Sequence, residues 1–216
     1  MTAGGQARAT VVSGGGRFAD PWHPFAETAG RLGALAEEAG FAVEVVDDVA
    51  AAVASPAQLL ILDVGRPEHP DDREDPGIRA ALLDVVKRGA GVLCMHSTAM
   101  SFPAVPEWED ITGGVWVEGE SMHPPYGAAP VRVVDDTHPI TAGLADFTLD
   151  DERYTRLRID PGVRVLAEHD HDGRAWPLIW TPPRGRLVVD LLGHDPASYV
   201  SVAHRAILTR AMRWLG

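Results

Sequence analysis

Cysteine is almost missing from this sequence: Cys94 is the only one in 216 residues. That excludes an internal disulfide framework and any zinc knuckle built on cysteine pairs. Lysine is equally scarce, with Lys87 alone among 19 lysines and arginines, an imbalance that codon usage explains without invoking function. Basic residues are outnumbered by 31 acidic ones, and the formal net charge of −12 argues against nucleic acid or an anionic membrane surface as partner. No apolar run approaches the ~18 residues of a membrane span. The opening MTAGGQARAT has neither the basic nor the apolar region of a secretory signal. The expectation is a cytoplasmic protein without membrane contact. Repeats and low-complexity tracts are also missing. The nearest thing to a linker, RPEHPDDREDPG (66–77), reads as a polar surface loop that includes His69.

What is present is an ordinary globular composition, 45% hydrophobic and 23% charged, in a length that fits one domain over residues 1–216. ATVVS (9–13) is a β-branched run that stops at GGG (14–16). FAETAGRLGALAEEAG (25–40) puts Phe25, Ala29, Leu32, Leu35 and Ala39 on one helical face, with Gly40 as its stop. FAVEVVDD (41–48) and QLLILDV (58–64) read as strands, PGIRAALLDVVKRGAG (76–91) as a helix, and GVLCMH (91–96) as a fourth strand. Strands this apolar, alternating with helices, indicate a parallel sheet covered on both faces. In the second half, VRVVDD (131–136), ERYTRLRI (152–159), VRVLAEHD (163–170), WPLIWT (176–181) and GRLVVDLLG (185–193) predict an antiparallel or mixed extension, closed by a helix over 199–216. Its exposed edges make a homodimer plausible.

Ligands of such sheets bind beyond the carboxyl ends of the strands. Three histidines far apart in sequence fall on that rim: His23 after the first strand, His96 at the end of the fourth, and His194 after LVVDLLG. The stretch GVLCMHSTA (91–99) asks whether Cys94 or His96 does the chemistry. Cys94 lies inside the strand, where a free cysteine behaves as a small buried hydrophobe. A nucleophile elbow of the G-x-C-x-G type needs small flanking residues, and here the turn reads Cys94-Met95-His96-Ser97-Thr98. His96 occupies the elbow position.

Other residues are candidates by their setting. His123 and Glu120 lie in the turn-rich loop GESMHPPYG, preceded by Glu109 and by Trp108 and Trp116, whose aromatic faces are of the kind sugars stack on. Of these, Trp116 is assigned to core packing. Glu152 and Tyr154 alternate onto one face of a predicted strand and present a carboxylate and a phenol together. His138, in DTHPI, sits in a turn where Asp136 and Thr137 are expected to bond local backbone. His23 precedes a helix whose dipole disfavours a charged imidazole. His169 and His171 flank the hairpin signal Asp172-Gly173 and are expected in a solvated turn. His204, on the apolar stripe of the last helix, reads as a satisfied buried histidine.

Several motifs, taken in order, carry a resemblance: GGGRFADPWHP (14–24), GAGVLCMHSTA (89–99), PEWEDITGGVWVEGESMHPP (106–125), VVDDTHPITAGL (133–144), DERY (151–154), PLIWT (177–181), LLGHD (191–195) and a terminal RWLG. Together they make the chain resemble the ThuA-like, trehalose-utilisation family. The resemblance implies a flavodoxin-like, class I glutamine amidotransferase-like three-layer sandwich whose nucleophilic cysteine is replaced by histidine, here His96. It also implies a role in disaccharide utilisation through 3-keto sugars, and the placement of Cys94 inside its strand argues against glutaminase activity. On this reading His96, His194, Glu152 and Tyr154 are catalytic, and His23, His123, His138, Trp108 and Glu120 bind substrate. Two chemistries are open. Two or three of the rim imidazoles, His96, His123 and His194 before others, can hold a divalent metal together with the Glu152 carboxylate, zinc before other metals. Alternatively, the histidines act as acid and base on the acidified protons beside a keto group, as in a sugar isomerase, lyase or hydrolase. A non-catalytic carbohydrate-binding or regulatory protein is the remaining alternative.

Overall fold

The computed structural model describes residues 5–67 and 76–216. His69 and most of the predicted 66–77 loop lie outside the described residues. From the N-terminus the elements are β1 (Arg8–Ser13), α1 (Phe25–Ala39), β2 (Ala42–Val46), α2 (Val49–Val53), β3 (Leu59–Asp63), α3 (Pro76–Lys87) and β4 (Gly91–Met95). The second half supplies α4 (Trp108–Thr112), β5 (Gly114–Val115), β6 (Gly127–Val133), β7 (Phe147–Asp151), β8 (Arg158–Ile159), β9 (Arg164–His171), β10 (Arg174–Thr181), β11 (Leu187–Asp190) and α5 (Val202–Leu215).

Nine strands form one sheet in the order β2-β1-β3-β4-β11-β10-β9-β6-β7. The first five are mutually parallel and the rest add antiparallel. β3 and β4 are buried at every position, which is why their sequences are continuous apolar runs instead of alternating ones. The chain steps from β1 to β2 on one side and then crosses to β3 and β4 on the other. Right-handed crossovers therefore put α1 on one face and α2 and α3 on the opposite one. α1 packs against α5 and α2 against α3, completing three layers. Gly91 permits the tightest helix–sheet contact, because a Cβ there would lie 2.3 Å from the Leu215 carbonyl oxygen of α5.

The first-half elements match the expected ones within a few residues. α1 ends at Gly40, whose φ of 105° only glycine adopts freely. The second half differs in specific ways. The expected strand over 152–159 survives only as the two residues of β8 and a single bridge between Met122 and Thr155, because Arg156 turns the backbone to φ 58°. Glu152 and Tyr154 follow β7, a strand the sequence reading omits. β6 starts earlier and ends earlier than 131–136. α5 starts at Val202, where Ser201 caps it by accepting from the His204 N–H. His169 is not in a solvated turn: it lies within β9, 1% exposed, and only Asp172 and Gly173 form the hairpin turn, both at positive φ.

Cys94 sits in β4 with no exposure, and burial pushes its thiol well above the ordinary range. We expect the native protein to resist iodoacetamide and to become fully alkylated only in denaturant, read by intact mass.

Candidate functional site

His96 sits at the strand-to-helix turn after β4, 2% exposed, with φ 41°. That left-handed backbone costs a non-glycine residue about 1–3 kcal/mol. The sequence after it shows what holds it there. Ser97 and Ser101 donate their hydroxyls to the Val64 carbonyl at 2.9 and 2.8 Å, and Thr98 donates to the Leu62 carbonyl at 2.8 Å. The short hydroxyl-bearing side chains of HSTAMS thus tie the turn to the end of β3. The His96 ring is fixed in turn: Nδ1–H donates to the Leu191 carbonyl at 2.8 Å, which leaves Nε2 for the groups on its other side.

Two further segments, those after β7 and β11, bring three partners to Nε2. The Tyr154 hydroxyl lies 3.1 Å away, His194 Nδ1 3.3 Å and Glu152 Oε2 3.5 Å. His194 Nδ1 is 3.4 Å from the same Glu152 oxygen. His194 is held by its backbone. Asp151, fully buried, accepts the N–H groups of Gly193 and His194 at 2.8 and 3.2 Å and that of Glu152 at 2.8 Å, together with the Ser198 hydroxyl. Gly193 has φ 110° and lies close beside Tyr199, where a Cβ would be 2.9 Å from the phenol oxygen. His23 completes the group, its ring centroid 5.0 Å from that of His96 and 4.8 Å from that of His194. Its Nδ1 lies 2.8 Å from both oxygens of Asp20, while Nε2 is buried without a hydrogen-bond partner.

The charges follow from these contacts. Burial opposes a charge on Glu152, but hydrogen bonds from His194 and His96 outweigh it and hold the carboxyl well below the usual carboxylate range. For His96, burial is likewise outweighed, by Glu152, the Asp151 charge and the Leu191 carbonyl, so its pKa rises. For His23 burial wins over Asp20 and the pKa falls. Its imidazole is neutral, with the proton on Nδ1 facing Asp20 and a lone pair on Nε2. Burial raises the Tyr154 phenol well above its ordinary value, so it acts as a donor.

The donor set fits a divalent cation. Metal–nitrogen and metal–oxygen bonds of about 2.0–2.2 Å put tetrahedral ligands about 3.3–3.6 Å apart. The triangle His96 Nε2, His194 Nδ1 and Glu152 Oε2 has sides of 3.3, 3.4 and 3.5 Å. His23 offers a fourth atom, and all four lie within 4.8 Å of one another. Two of the histidines have their remote nitrogen engaged by a carboxylate or a carbonyl, the outer-shell arrangement that fixes metal-binding tautomers. The cluster contains Glu152 as its carboxylate and His23 where the sequence reading placed His123. His123 reaches the other Glu152 oxygen, at 3.4 Å, and its side chain is 40% exposed.

These groups line a cavity of about 910 Å³, at the upper end of small-molecule sites. His23, His123, Glu152, Tyr154 and His194 all line it, with Asp20, Trp22, Arg66, Met100 and Trp116. Of these, Asp20 is legible in the sequence only as the acid three residues before His23. Three expected residues are not brought there. His138 is 3% exposed in the β6–β7 turn, its ring 5.3 Å from that of Trp214, and the turn is organised by Asp135, not Asp136. Glu120 is exposed on its loop. Trp108 is buried, edge-on to Phe102 at 4.8 Å, whereas Trp116, expected in the core, faces the cavity. Trp108 opens α4 on its inner side, and Trp116, which follows the short strand β5, packs against the core with one side and meets the cavity with the other.

The three-layer sandwich with its partly parallel sheet is a class I glutamine amidotransferase-like fold, and the turn after β4 carries His96. The chain belongs to the ThuA family, described as trehalose utilisation, whose model matches residues 8–215. Similar solved structures agree. A ThuA-like protein of Parabacteroides merdae superposes with a TM-score of 0.79 at 21% identity, covering 97% of this chain and 89% of its own. One from Bacteroides uniformis gives 0.79 at 18%, covering 97% and 91%. A GMP synthase protein of Thermoplasma acidophilum gives 0.61 at 13%, covering 97% and 94%. No curated protein matches the chain. The family match supports a role related to trehalose utilisation. Among the described residues, no helix is long and apolar enough to cross a membrane.

Proposed function

We propose that the protein is a metal-assisted enzyme acting on a keto derivative of a disaccharide, with His96, His194 and Glu152 as the metal-binding face and the His23–Asp20 pair as base. The observation that carries this reading is the triangle of three ligand atoms at tetrahedral separations, beside a neutral His23 whose Nε2 has no partner. A divalent metal in this position supplies Lewis-acid polarisation of a substrate oxygen.

The chain's own residues do the rest. His23 Nε2 takes the proton from the carbon next to the keto group, and Asp20 holds the ring and stabilises the imidazolium that forms. The electron pair of the broken C–H bond moves into the new carbon–carbon double bond. Return of the proton to the same or the neighbouring carbon gives epimerisation or isomerisation. Loss of the glycosidic oxygen from the carbon on the far side gives elimination, and that oxygen needs a proton, which Tyr154 donates on this reading. Both outcomes are redox-neutral. Trp22, 70% exposed at the cavity mouth, offers an apolar face to a pyranose ring.

The test is metal content by inductively coupled plasma mass spectrometry on tag-free protein purified without chelator. We expect about one zinc, manganese or iron per chain and its loss in His96→Ala/His194→Ala. His23→Ala is expected to keep the metal and lose at least ~100-fold in proton exchange at carbon 2 of a 3-keto disaccharide. Wild-type protein that stays metal-free after incubation with zinc and desalting would overturn the metal site and leave the histidines as acid and base alone.

A further inference from the structure

A second cavity, of about 270 Å³, lies beside the first and shares Arg66, Met100 and Trp116 with it as a common wall. Its own lining includes Trp108, Glu109 and Arg158. This is less than the ~300 Å³ at which pockets begin to hold drug-sized ligands, and so it suits one ring. Trp108 is 2% exposed and its indole Nε1–H has no hydrogen-bond partner. Buried donors of that kind are rare, because each lacks the hydrogen bond it had in water. The contrast with Trp180 is direct: its Nε1–H donates to the Thr112 carbonyl at 2.7 Å within the same region.

We propose that this second cavity is the subsite for the second hydroxylated ring of a two-ring substrate, and that Trp108 reads it by donating to a ring hydroxyl or ether oxygen. The proposal rests on the carbohydrate reading of the first cavity. An apolar group would fill the volume but leave the indole N–H unmet. A hydroxylated ring satisfies it and finds further polar partners at the Glu109–Arg158 pair, whose atoms lie 2.6 and 2.7 Å apart. Trp116 stands between the two spaces, so one indole serves as a wall for both rings. The leaving unit of the elimination described above then sits in the second cavity while the keto ring stays with the histidines.

The experiment is calorimetric titration of the full-length protein, in zinc-containing buffer, with trehalose and with methyl α-glucoside. In wild type the disaccharide is expected to bind more tightly. Trp108→Phe, which removes the N–H and keeps an aromatic ring, is expected to weaken trehalose about tenfold and to leave methyl α-glucoside within about twofold. Pro106→Trp, which enters the second cavity from its exposed side, is expected to show the same split without touching the core. Unchanged zinc content and melting temperature in both variants exclude a folding defect. Equal loss for both sugars, or no loss in either variant while both sugars still bind, would overturn the subsite alone. Failure of wild type to bind either sugar would overturn the carbohydrate reading and the subsite with it.

Discussion

Asp151→Ala is expected to lower stability by about 3–5 kcal/mol in urea denaturation and to empty the metal site. The carboxylate is fully buried and accepts from four donors: the backbone N–H groups of Glu152, Gly193 and His194, and the Ser198 hydroxyl. Two of these donors belong to the segment that carries His194 and one belongs to Glu152, so a single side chain positions two of the three proposed ligands. Alanine leaves the donors unmatched in the interior, each costing about 1–3 kcal/mol where no water reaches it. Asp151→Asn is the milder change, since an amide oxygen still accepts and Ser198 can rotate to accept from the amide N–H. Stability and metal content are expected to fall in the order wild type, Asn, Ala. Normal stoichiometry in Asp151→Ala would show that the His194 segment holds itself.

How much of this is legible in the sequence differs between the two halves. In the first, period and punctuation agree. The apolar runs of β3 and β4 and the stripe of α1 closed by Gly40 specify a parallel sheet, and its topology places His23 and His96 on one rim. In the second half the cues are local and misleading. The alternation in 152–159 looks like a strand but is broken at Arg156, and β7 is hidden because FTLDD ends in two acids. Those acids are Asp150 and Asp151, and the second is the buried anchor of the site. Its role is set by backbone donors more than 40 residues away, which no spacing rule reports. Glu152 and Tyr154 suggest the wrong strand yet reach the cavity, because the chain leaving β7 runs alongside the β11 end. His138 illustrates the converse: its motif belongs to a turn that packs on Trp214, and the sheet carries it away from the rim.

The strongest dependence on pH is expected at His204 and Asp190, the buried pair beneath the site. The histidine has no exposure, its Nε2 lies 3.0 Å from Asp190 Oδ2, and its Nδ1 lies 3.2 Å from the Ser198 carbonyl oxygen. The Asp190 carboxylate and the Ser198 carbonyl accept, and the Ser198 hydroxyl 3.3 Å from Nδ1 gives its proton to Asp151, so the imidazolium, with two N–H donors, satisfies both acceptors together. Burial opposes that charge, but the Asp190 charge and hydrogen bond outweigh it and raise the pKa. A raised folded-state pKa contributes stability that is fully present below the unfolded value near 6.5 and is lost as pH rises through the folded value. His204→Leu suits the apolar stripe of α5 but strands a buried carboxylate, at an expected cost of about 3–5 kcal/mol at pH 6. Adding Asp190→Asn removes the charge and is expected to recover part of that loss. The coupling energy from this double-mutant cycle is expected to shrink between pH 6 and pH 9, because the deprotonated ring no longer donates to both acceptors. A coupling independent of pH over this range would mean that the His204 ring does not change its protonation there. The same cycle reaches the site through β11. Asp190 also accepts the Leu192 N–H at 3.0 Å, and the Leu191 carbonyl between them is the group that orients His96. Loss of the pair is therefore expected to weaken metal retention even where the fold survives.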